Sequence, residues 1–449
     1  MNFCHTHFSW NMNKCSYICP MIRNNTTLFI VLLIAFSLRA GFALLDNHPI
    51  ASDEVDYVEL ATHIVQGAGY SSPDGTPTAY RPPGYPFFLA GLFTLSATPL
   101  FIKLVQCLIG CGSCFLIFLI GKKIFSEKVG LIAMTVWSLF PTSIMMTSEL
   151  LSETVFTFLF LLLLCYTVYR DTAAPFIVGV LSGLLILLKP QVVLLFLGVL
   201  LYNVLRRNRL WIRSVPLIAA GIIVITVPWT IRNVVTMNSI GISTNGGVNF
   251  WIGNNPEANG SYKIPSADTL SSVRDEGKRN SLGYFLGTRF IINNPGQFFT
   301  LSVVKTAYLF SSQNYILTLL SRGEDPPQQY RDRVRTLPIW IVLLVNIPYL
   351  FILFLGVRGL IAGQRKYESA GLPIHYLVAT WIIIHVFFFG AARFNYPLLP
   401  LFVLTGSAFV VHGTQTAVHP LWKRSLSIGI ALLALLPTIV EITMTYGYK

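Results

Sequence analysis

Acidic residues cluster in the segment that follows the first long apolar run of this sequence. Between residues 46 and 98 the chain carries six carboxylates, and its only Lys or Arg is Arg81. Because like charges repel, solubility alone would disperse such residues, so the cluster favours a catalytic or ligand-binding site. The acids are Asp46, Asp53, Glu54, Asp56, Glu59 and Asp74.

Asp53 and Glu54 are the first candidates within this cluster. Neighbouring residues on a helix point about 100° apart, so the two carboxylates need not share one role. Apolar residues recur at helical spacing from Val55 to Val65, which predicts a short amphipathic helix that begins near Asp53. Capping that helix is the alternative role for Asp53. A cap needs only one acid, and the presence of Asp56 as a third favours a functional role.

Arg81 lies in a stiff segment, residues 80–86, with the sequence YRPPGYP. Proline fixes its own φ and restricts the residue before it, so Arg81 is held on a rigid support. A guanidinium held in this way can bind a phosphate through two parallel hydrogen bonds. The alternative is an interfacial arginine that extends between lipid headgroups.

Further charged residues are expected near the same face of the membrane. Glu149 and Glu153 are four residues apart, which predicts that they share one helix face at the outer start of a span. They mark a second acidic position, and the alternative is a helix cap or a partner of the helix dipole. Lys189 and Arg393 lie in very short connections and bind either a lipid-linked phosphate or lipid headgroups, whereas Lys305 is expected to contact headgroups.

The composition places the chain in the membrane. Of its 449 residues 53% are hydrophobic and 11% charged, against about 25% charged in a soluble domain. The net charge of +13 is compatible with nucleic acid, but the sequence shows no nucleic-acid-binding motif. We therefore expect a multi-pass protein of the cell membrane.

The cysteines predict neither disulfides nor a metal site. The count of seven is odd, and the long polar loops hold no pair. Cys107, Cys111 and Cys114 fall on one helix face, where packing of small residues is favoured over a soft metal site.

Eleven apolar runs are long enough to cross a bilayer, for which roughly 17 to 25 residues are needed. We therefore predict an all-α polytopic protein with about 11 transmembrane helices (10–13). The runs are residues 27–45, 99–121, 129–144, 152–169, 174–188, 190–205, 214–230, 337–356, 371–389, 396–411 and 425–446.

Basic residues set the orientation. With a cytoplasmic N-terminal tail, residues 1–26, the inner loops hold thirteen bases against Glu127, Asp171 and Glu368, as the positive-inside rule requires. The acidic loop, 46–98, then lies outside, and so does a second loop, 231–336. This requires the apolar stretch 297–311 to lie along the surface as an interfacial helix, and the stretch 86–95 is too short to span. The inner bases are Lys122, Lys123, Lys128, Arg170, Arg206, Arg207, Arg209, Arg213, Arg358, Arg365, Lys366, Lys423 and Arg424.

Several motifs resemble one family. The run DEVDY at 53–57, the GAGY at 67–70 and the YRPPGYP at 80–86 resemble the first outer loop of the C-type membrane-embedded glycosyltransferases (GT-C fold, glycosyltransferase family 39-like), in the branch of protein O-mannosyltransferases and lipid A aminoarabinose transferases. Other matching segments follow in order between about residues 28 and 412. They are SETVF at 152–156, LKP at 188–190, GGVNFWIGNNP at 246–256, NP at 294–295 and RFNYP at 393–397.

The resemblance implies a single transmembrane domain, 27–446, that moves a hexosyl or pentosyl group from a polyprenyl-phosphate donor to an acceptor on the extracytoplasmic face. Asp53, with Glu54 beside it, matches the acid that acts at the acceptor hydroxyl, and Arg81 matches the base that meets the donor phosphate. Glu153 matches the second family acid best, with Glu149 as the alternative. The other four acids of the first loop are expected to be mostly solvated or capping, namely Asp46, Asp56, Glu59 and Asp74.

The sequence departs from the family in two ways. Tyr80 stands where the aminoarabinose transferases have a glutamate, which puts the metal site of that branch in doubt. We expect that no cofactor is required, and that a divalent metal, if present, is held by Asp53 and Glu153. The chain also lacks the soluble lumenal domain that eukaryotic protein mannosyltransferases carry between spans, so a lipid or glycan acceptor is favoured over a protein.

The residues also fit this chemistry without the family. Displacement of a phosphate from an anomeric carbon needs a carboxylate to accept the acceptor proton and a cation to hold the leaving phosphate. Asp53 and Arg81 supply that pair, which predicts inverting single displacement. A transporter or flippase of lipid-linked sugars is the alternative, although the predicted spans hold few polar residues besides Arg39 and Lys103. The third hypothesis is that the protein keeps this fold as a non-catalytic partner in polymer assembly. The presence of Asp53, Arg81 and Glu153 together argues against it.

Overall fold

The computed structural model describes residues 26–169, 174–205, 207, 209–266, 269–320, 334–362, 374–413 and 421–446. The predicted N-terminal tail therefore lies outside the described residues, except for Thr26. So do four of the predicted inner-loop bases, Arg170, Arg206, Arg365 and Lys366.

The described residues form helices joined by short turns, with one isolated β-bridge between Ser71 and Pro77. The predicted all-α membrane fold is confirmed. The helices are α1 (Thr26–Leu45), α2 (Asp53–Val65), α3 (Gly84–Phe93), α4 (Pro99–Ile124), α5 (Glu127–Leu139), α6 (Pro141–Met145), α7 (Glu153–Tyr169), α8 (Pro175–Leu188), α9 (Val193–Leu205), α10 (Arg209–Met237), α11 (Gly246–Gly253), α12 (Glu276–Asn293), α13 (Pro295–Leu309), α14 (Ile339–Ala362), α15 (Ile374–Phe387), α16 (Leu399–His412) and α17 (Leu421–Tyr446).

Five of the described helical segments are long and apolar enough to cross a membrane. They are α1, α4, most of α10, α14, and α16 together with the 3₁₀ turn that precedes it. Each of the other predicted runs except 129–144 also contains a shorter apolar helix or part of α17. The number of eleven crossings stays a prediction.

One predicted span is broken. The run 129–144 was expected to form a single helix, but α5 ends at Leu139 and α6 begins at Pro141. Proline has no N–H to donate, and its ring disfavours the helical conformation at Phe140, so the helix stops there. The prediction of one continuous helix is therefore wrong.

Arg39 of α1 binds the carbonyls that this break leaves free. Its guanidinium is buried and donates to the carbonyl oxygens of Ser138 at 3.2 Å and Trp137 at 3.3 Å, and to Ser143 Oγ at 2.9 Å. The last carbonyls of a helix have no partner within it and carry the negative end of the helix dipole. Arg39 thus caps α5 inside the bundle.

The bundle is packed closely through small residues. Helix α16 lies against α14 and α5, and α8 lies along α10. A Cβ on Gly179 of α8 would stand 2.1 Å from the carbonyl oxygen of Ile218 in α10. Small residues at such contacts let the backbones of membrane helices approach each other.

Two long loops lie between the bundle helices. The first loop (residues 46–98) contains α2 and α3, and the second loop (residues 231–336) contains α11, α12 and α13. Helix α13 covers most of the predicted interfacial stretch 297–311, but the expectation that Lys305 contacts headgroups is wrong. Lys305 is fully buried, and its ammonium donates to Asn254 Oδ1 at 2.8 Å and to the carbonyl of Val386 at 2.9 Å.

Candidate functional site

The Asp53 carboxylate lies between two arginines. Arg81 Nη2 donates to Asp53 Oδ1 at 2.7 Å, and Arg393 Nη2 donates to the other oxygen, Oδ2. Asp53 is the first residue of α2, Arg81 lies in the proline-rich segment before α3, and Arg393 comes from the 3₁₀ turn before α16. The structure therefore brings together three of the residues singled out in the sequence, from both ends of the chain.

These cations control the charge of Asp53. Burial of the carboxyl raises the pKa of Asp53, but the charges of Arg393 and Arg81 outweigh it and hold that pKa well below its usual range. Asp53 is thus ionised at neutral pH while both arginines remain in place.

Arg81 is itself fixed on several sides. Its Nε donates to Asp56 Oδ2 at 2.7 Å, and its guanidinium carbon lies 5.7 Å from the ring centre of Tyr57 and 5.4 Å from that of Tyr80. Asp56 was expected to be solvated or capping; its side chain is 42% exposed, but it is also an ion-pair partner of Arg81. Two carboxylates and two aromatic rings therefore orient one guanidinium.

Lys189 and Glu153 form a second ion pair. Lys189 follows the end of α8, Glu153 opens α7, and the ammonium donates to Glu153 Oε1 at 3.0 Å. Both are well covered, with side chains 11% and 4% exposed. A metal ion bound between Asp53 and Glu153 would have to displace the cations that hold these carboxylates.

Gly84 lets the Arg81 segment approach the end of α8. A Cβ on Gly84 would stand 2.9 Å from backbone atoms of Leu187 and Leu188, which precede Lys189. This separation is shorter than real Cβ contacts allow, so only glycine fits here without a shift of the backbone. The close approach links the segments that carry Arg81 and Lys189.

Glu149 and Glu153 do not share a helix face, contrary to the prediction. Helix α7 begins only at Glu153, and Glu149 lies in the irregular connection between α6 and α7. The prediction was wrong because it extended the helix upstream of its real start. Burial raises the pKa of the Glu149 carboxyl, and the negative charge of Glu54 raises it further.

Glu54 has different neighbours from Asp53. Its side chain is buried, Oε1 accepts from the backbone N–H of Leu150 at 2.7 Å, and Oε2 accepts from that of Ala51 at 3.2 Å. Glu54 thereby joins the start of α2 to the connection before α7. The two adjacent acids serve separate contacts, as their directions on a helix predicted.

Asp46 and His48 extend this second cluster. Asp46 accepts from His48 Nδ1 at 2.8 Å and from the ammonium of Lys103 at 2.8 Å, and its side chain is only 2% exposed. The expectation that Asp46 is solvated or capping is wrong, because its carboxylate is buried in an ion pair with Lys103 of α4. His48 Nε2 lies 3.4 Å from Glu54 Oε2, and Glu149 adjoins both.

A cleft of about 520 Å³ opens beside Arg81. It lies between α2, residues 71–81 that follow it, α11 and the start of α12. Its lining mixes aromatic and charged side chains, which is typical of clefts that bind small molecules. These residues include Asp56, Glu59, Tyr80, Trp251 and Arg279.

Glu276 closes this cleft, and no sequence motif predicted it. From the first turn of α12 its carboxylate accepts from Thr78 Oγ1 at 2.6 Å, from the N–H of Ala79 at 3.1 Å and from Thr244 Oγ1 at 2.7 Å. Glu276 thus joins the first loop to the second. The sequence carried no signal for this role, because the partners are 32 and about 200 residues away.

Comparison with known proteins bears on part of the chain. Residues 80–231 match the family model described as dolichyl-phosphate-mannose-protein mannosyltransferase. The resemblance predicted from the motifs is confirmed. The matched residues 80–231 include Arg81, Glu153 and Lys189. Asp53 and Glu54 precede this segment, and Arg393 follows it. No curated protein sequence matches the chain.

Three solved structures are similar in part. AglB, the oligosaccharyltransferase from Archaeoglobus fulgidus solved with an inhibitory peptide and a dolichol-phosphate, gives a TM-score of 0.49 at 15% identity over 98% of this chain and 56% of that chain. A structure of the Archaeoglobus fulgidus oligosaccharyltransferase with Zn and sulfate gives 0.48 at 14% identity over 94% of this chain and 53% of that one. ArnT from Cupriavidus metallidurans, bound to undecaprenyl phosphate, gives 0.40 at 15% identity over 88% and 78%. The chain thus spans about half the length of the first two.

Proposed function

We propose that this protein transfers a sugar from a polyprenyl-phosphate donor to a lipid, glycan or other envelope acceptor at the extracytoplasmic face of the cell membrane. The observation that carries the proposal is the Asp53 carboxylate held between Arg81 and Arg393, where Arg81 also lines a cleft. This arrangement places a proton acceptor beside cations that can bind a phosphate.

Arg81 and Arg393 are the proposed ligands of the donor phosphate, and Lys189 adds a third positive charge. A sugar phosphodiester carries one negative charge, and the polyprenyl phosphate that leaves carries a second. The guanidinium groups therefore bind the departing phosphate more strongly than the bound donor. Such a difference lowers the barrier to transfer.

Asp53 is the proposed base. The acceptor hydroxyl oxygen bonds to the anomeric carbon as the bond from that carbon to the phosphate oxygen breaks. The hydroxyl proton passes to Asp53, polyprenyl phosphate leaves, and the anomeric configuration inverts. When the phosphate draws a guanidinium away from Asp53, the pKa of the carboxyl rises towards its ordinary value, and the carboxylate becomes a better base.

The cleft is the proposed place for the sugar and its acceptor. Tyr80 and Trp251 offer aromatic faces, and Asp56 and Arg279 offer polar groups. Aromatic rings pack against the C–H face of a sugar, while charged side chains bond its hydroxyls.

Asp53→Asn tests the base. Asparagine cannot accept the proton but keeps the side-chain volume, so transfer should fall by roughly 10²–10⁴-fold. Donor binding should persist, because the substitution leaves both arginines free for the phosphate. The measurement is transfer of labelled sugar from a polyprenyl-phosphate donor by the purified protein, with Asp74→Asn in the same loop as the control. Retained activity in Asp53→Asn would rule out Asp53 as the base, and movement of donor without its consumption would favour a transporter.

Arg81→Ala tests the phosphate contact. Loss of a charge-assisted hydrogen bond costs about 1.5–3 kcal/mol, so the dissociation constant of the donor should rise by roughly 10- to 100-fold. The exposed Arg274 of the second loop, changed to alanine, is the control for loss of a positive charge. Donor affinity that matches the control would contradict a phosphate contact at Arg81.

A further inference from the structure

We propose that His48, Glu54 and Glu149 bind a divalent transition-metal ion, with Zn²⁺ as the best match. One imidazole nitrogen and one oxygen from each carboxylate lie within 4.8 Å of one another. A mixed nitrogen and oxygen donor set suits Zn²⁺, whereas Mg²⁺ and Ca²⁺ prefer oxygen alone and Cu⁺ prefers sulfur. The site does not depend on the proposed sugar transfer.

The spacing of the donors fits a tetrahedral ion. His48 Nε2 lies 3.4 Å from Glu54 Oε2, which is longer than an ordinary N–H···O hydrogen bond. Two ligands that are each about 2.1 Å from a tetrahedral Zn²⁺ stand about 3.4 Å apart. This pair of atoms therefore already has the separation of one edge of a zinc site.

The imidazole is oriented for metal binding. Its Nδ1 bonds to Asp46, which Lys103 also holds, so the lone pair of a neutral ring is left on Nε2. That nitrogen is buried in a side chain only 9% exposed and faces Glu54 Oε2 at 3.4 Å, with no well-aligned hydrogen bond to it. A carboxylate behind a ligating histidine is the usual arrangement in zinc proteins, where it fixes the tautomer and the orientation of the ring.

The two glutamates also meet the requirements of ligands. The backbone N–H groups of Leu150 and Ala51 each occupy one lone pair of a Glu54 oxygen, so each oxygen keeps a second lone pair. Within the described part of the chain, Lys103 pairs with Asp46 and Arg393 pairs with Asp53, which leaves His48 as the basic partner of Glu54. A divalent ion would offset the repulsion between Glu54 and Glu149 that burial strengthens.

The ion would join two segments that carry the candidate site. His48 and Glu54 belong to the first loop, and Glu149 belongs to the connection before α7. Because Glu54 adjoins Asp53, the metal would fix the start of α2. Its role is therefore structural and separate from the cation cluster around Asp53.

Direct measurement of zinc binding tests the proposal. The full chain, with Cys4, Cys15 and Cys19 changed to serine because thiols bind zinc, is purified in detergent, stripped with a chelator and titrated with Zn²⁺. Bound metal is measured by equilibrium dialysis and elemental analysis. We expect zinc equimolar with the chain, a rise in melting temperature on its addition, and visible absorption of tetrahedral character when Co²⁺ replaces it.

Ligand variants locate the site. His48→Gln and Glu149→Gln should each weaken Zn²⁺ binding at least 10-fold, while Asp74→Asn, an exposed acid of the same loop, should leave it unchanged. Melting curves recorded without metal show which variants are folded. Absence of bound zinc from the parent chain overturns the proposal without reference to any variant. Zinc bound equally by the parent and by folded Glu149→Gln overturns it as well.

Discussion

Asp53 is bonded to two guanidinium groups, and in the proposed reaction these contacts would set the order of events at its carboxylate. While Arg81 and Arg393 both hold it, the carboxylate is a weak base, because protonation would cost both ion pairs. A phosphate that engages either arginine relieves this constraint. Binding of the donor would therefore prepare Asp53 to take the proton from the acceptor hydroxyl. In this scheme, binding of the donor is coupled to activation of the acceptor.

A buried lysine makes stability depend on pH. The Lys305 ammonium donates to Asn254 Oδ1 and the carbonyl of Val386, and neither acceptor carries a full charge. Burial lowers the pKa of Lys305 from 10.5 to about 7. Between these values the unfolded chain binds a proton that the folded protein does not, so stability rises with pH across this window and is constant below it.

We therefore predict that the melting temperature rises by a few degrees from pH 7 to about pH 10 through Lys305. In Lys305→Met, which keeps the apolar stem and removes the ammonium, this part of the rise should disappear. Melting curves of both proteins over the pH series provide the measurement, and parallel curves would show that Lys305 is not the source.

At the scale of elements, the site depends on how closely two segments approach. Helix α3 meets the end of α8 at Gly84, while Arg81 and Lys189 lie on either side of that contact. The prolines before Gly84 restrict the backbone, so a displacement at the contact would pass directly to Arg81. Glu276 adds a second restraint, since it joins α12 to the residues just before Tyr80.

Gly84→Ala should disturb the site from this contact. Its Cβ would stand 2.9 Å from the backbone of α8, which cannot give way as a flexible side chain would, so we expect a loss of about 1–3 kcal/mol in stability and reduced transfer. Gly91→Ala in the same helix is the matched control, because a Cβ there meets nothing within 4 Å. It should be neutral or stabilising, by up to about 1 kcal/mol. Thermal melting and the transfer assay measure both, and equal behaviour of the two variants would refute the packing argument.

At the scale of the whole molecule, the bundle presents two loops that meet over one end of the cleft. The first loop supplies Asp53 and Arg81, the second supplies Trp251 and Glu276, and the turn before α16 adds Arg393. A site assembled in this way requires both loops to lie on the same side of the membrane. The distribution of basic residues predicts that this side is extracytoplasmic.

Cysteine labelling tests this orientation. In a chain whose Cys4, Cys15 and Cys19 are replaced by serine, Asp74→Cys in the first loop should react with a membrane-impermeant maleimide on intact cells. Lys128→Cys in the first turn of α5, next to the connection from α4, should react only after the membrane is permeabilised. Both positions are exposed in the structure. The reverse pattern would place the candidate site on the cytoplasmic side.

The sequence by itself determined the features that depend on local chemistry. Long apolar runs gave the membrane class and most helices, because a spanning helix must bury about 20 consecutive residues in lipid. The proline-rich segment marked Arg81, and the run of acids marked Asp53, through residue types alone. The errors of the sequence-based prediction were local as well. Hydrophobicity predicts one helix through Pro141, where the helix in fact ends, and the predicted start of α7 lay too early, before Glu149.

Only the tertiary structure decided which charges meet. Arg393 reaches Asp53 across 340 residues of sequence, and Lys103 reaches Asp46 across 57. The structure also directs Glu54 away from Asp53 and towards Leu150. Such pairs depend on which helices pack together and at what depth, and a buried charge must find its partner wherever that packing places it. The sequence could therefore identify the charged groups but not the pairs they form.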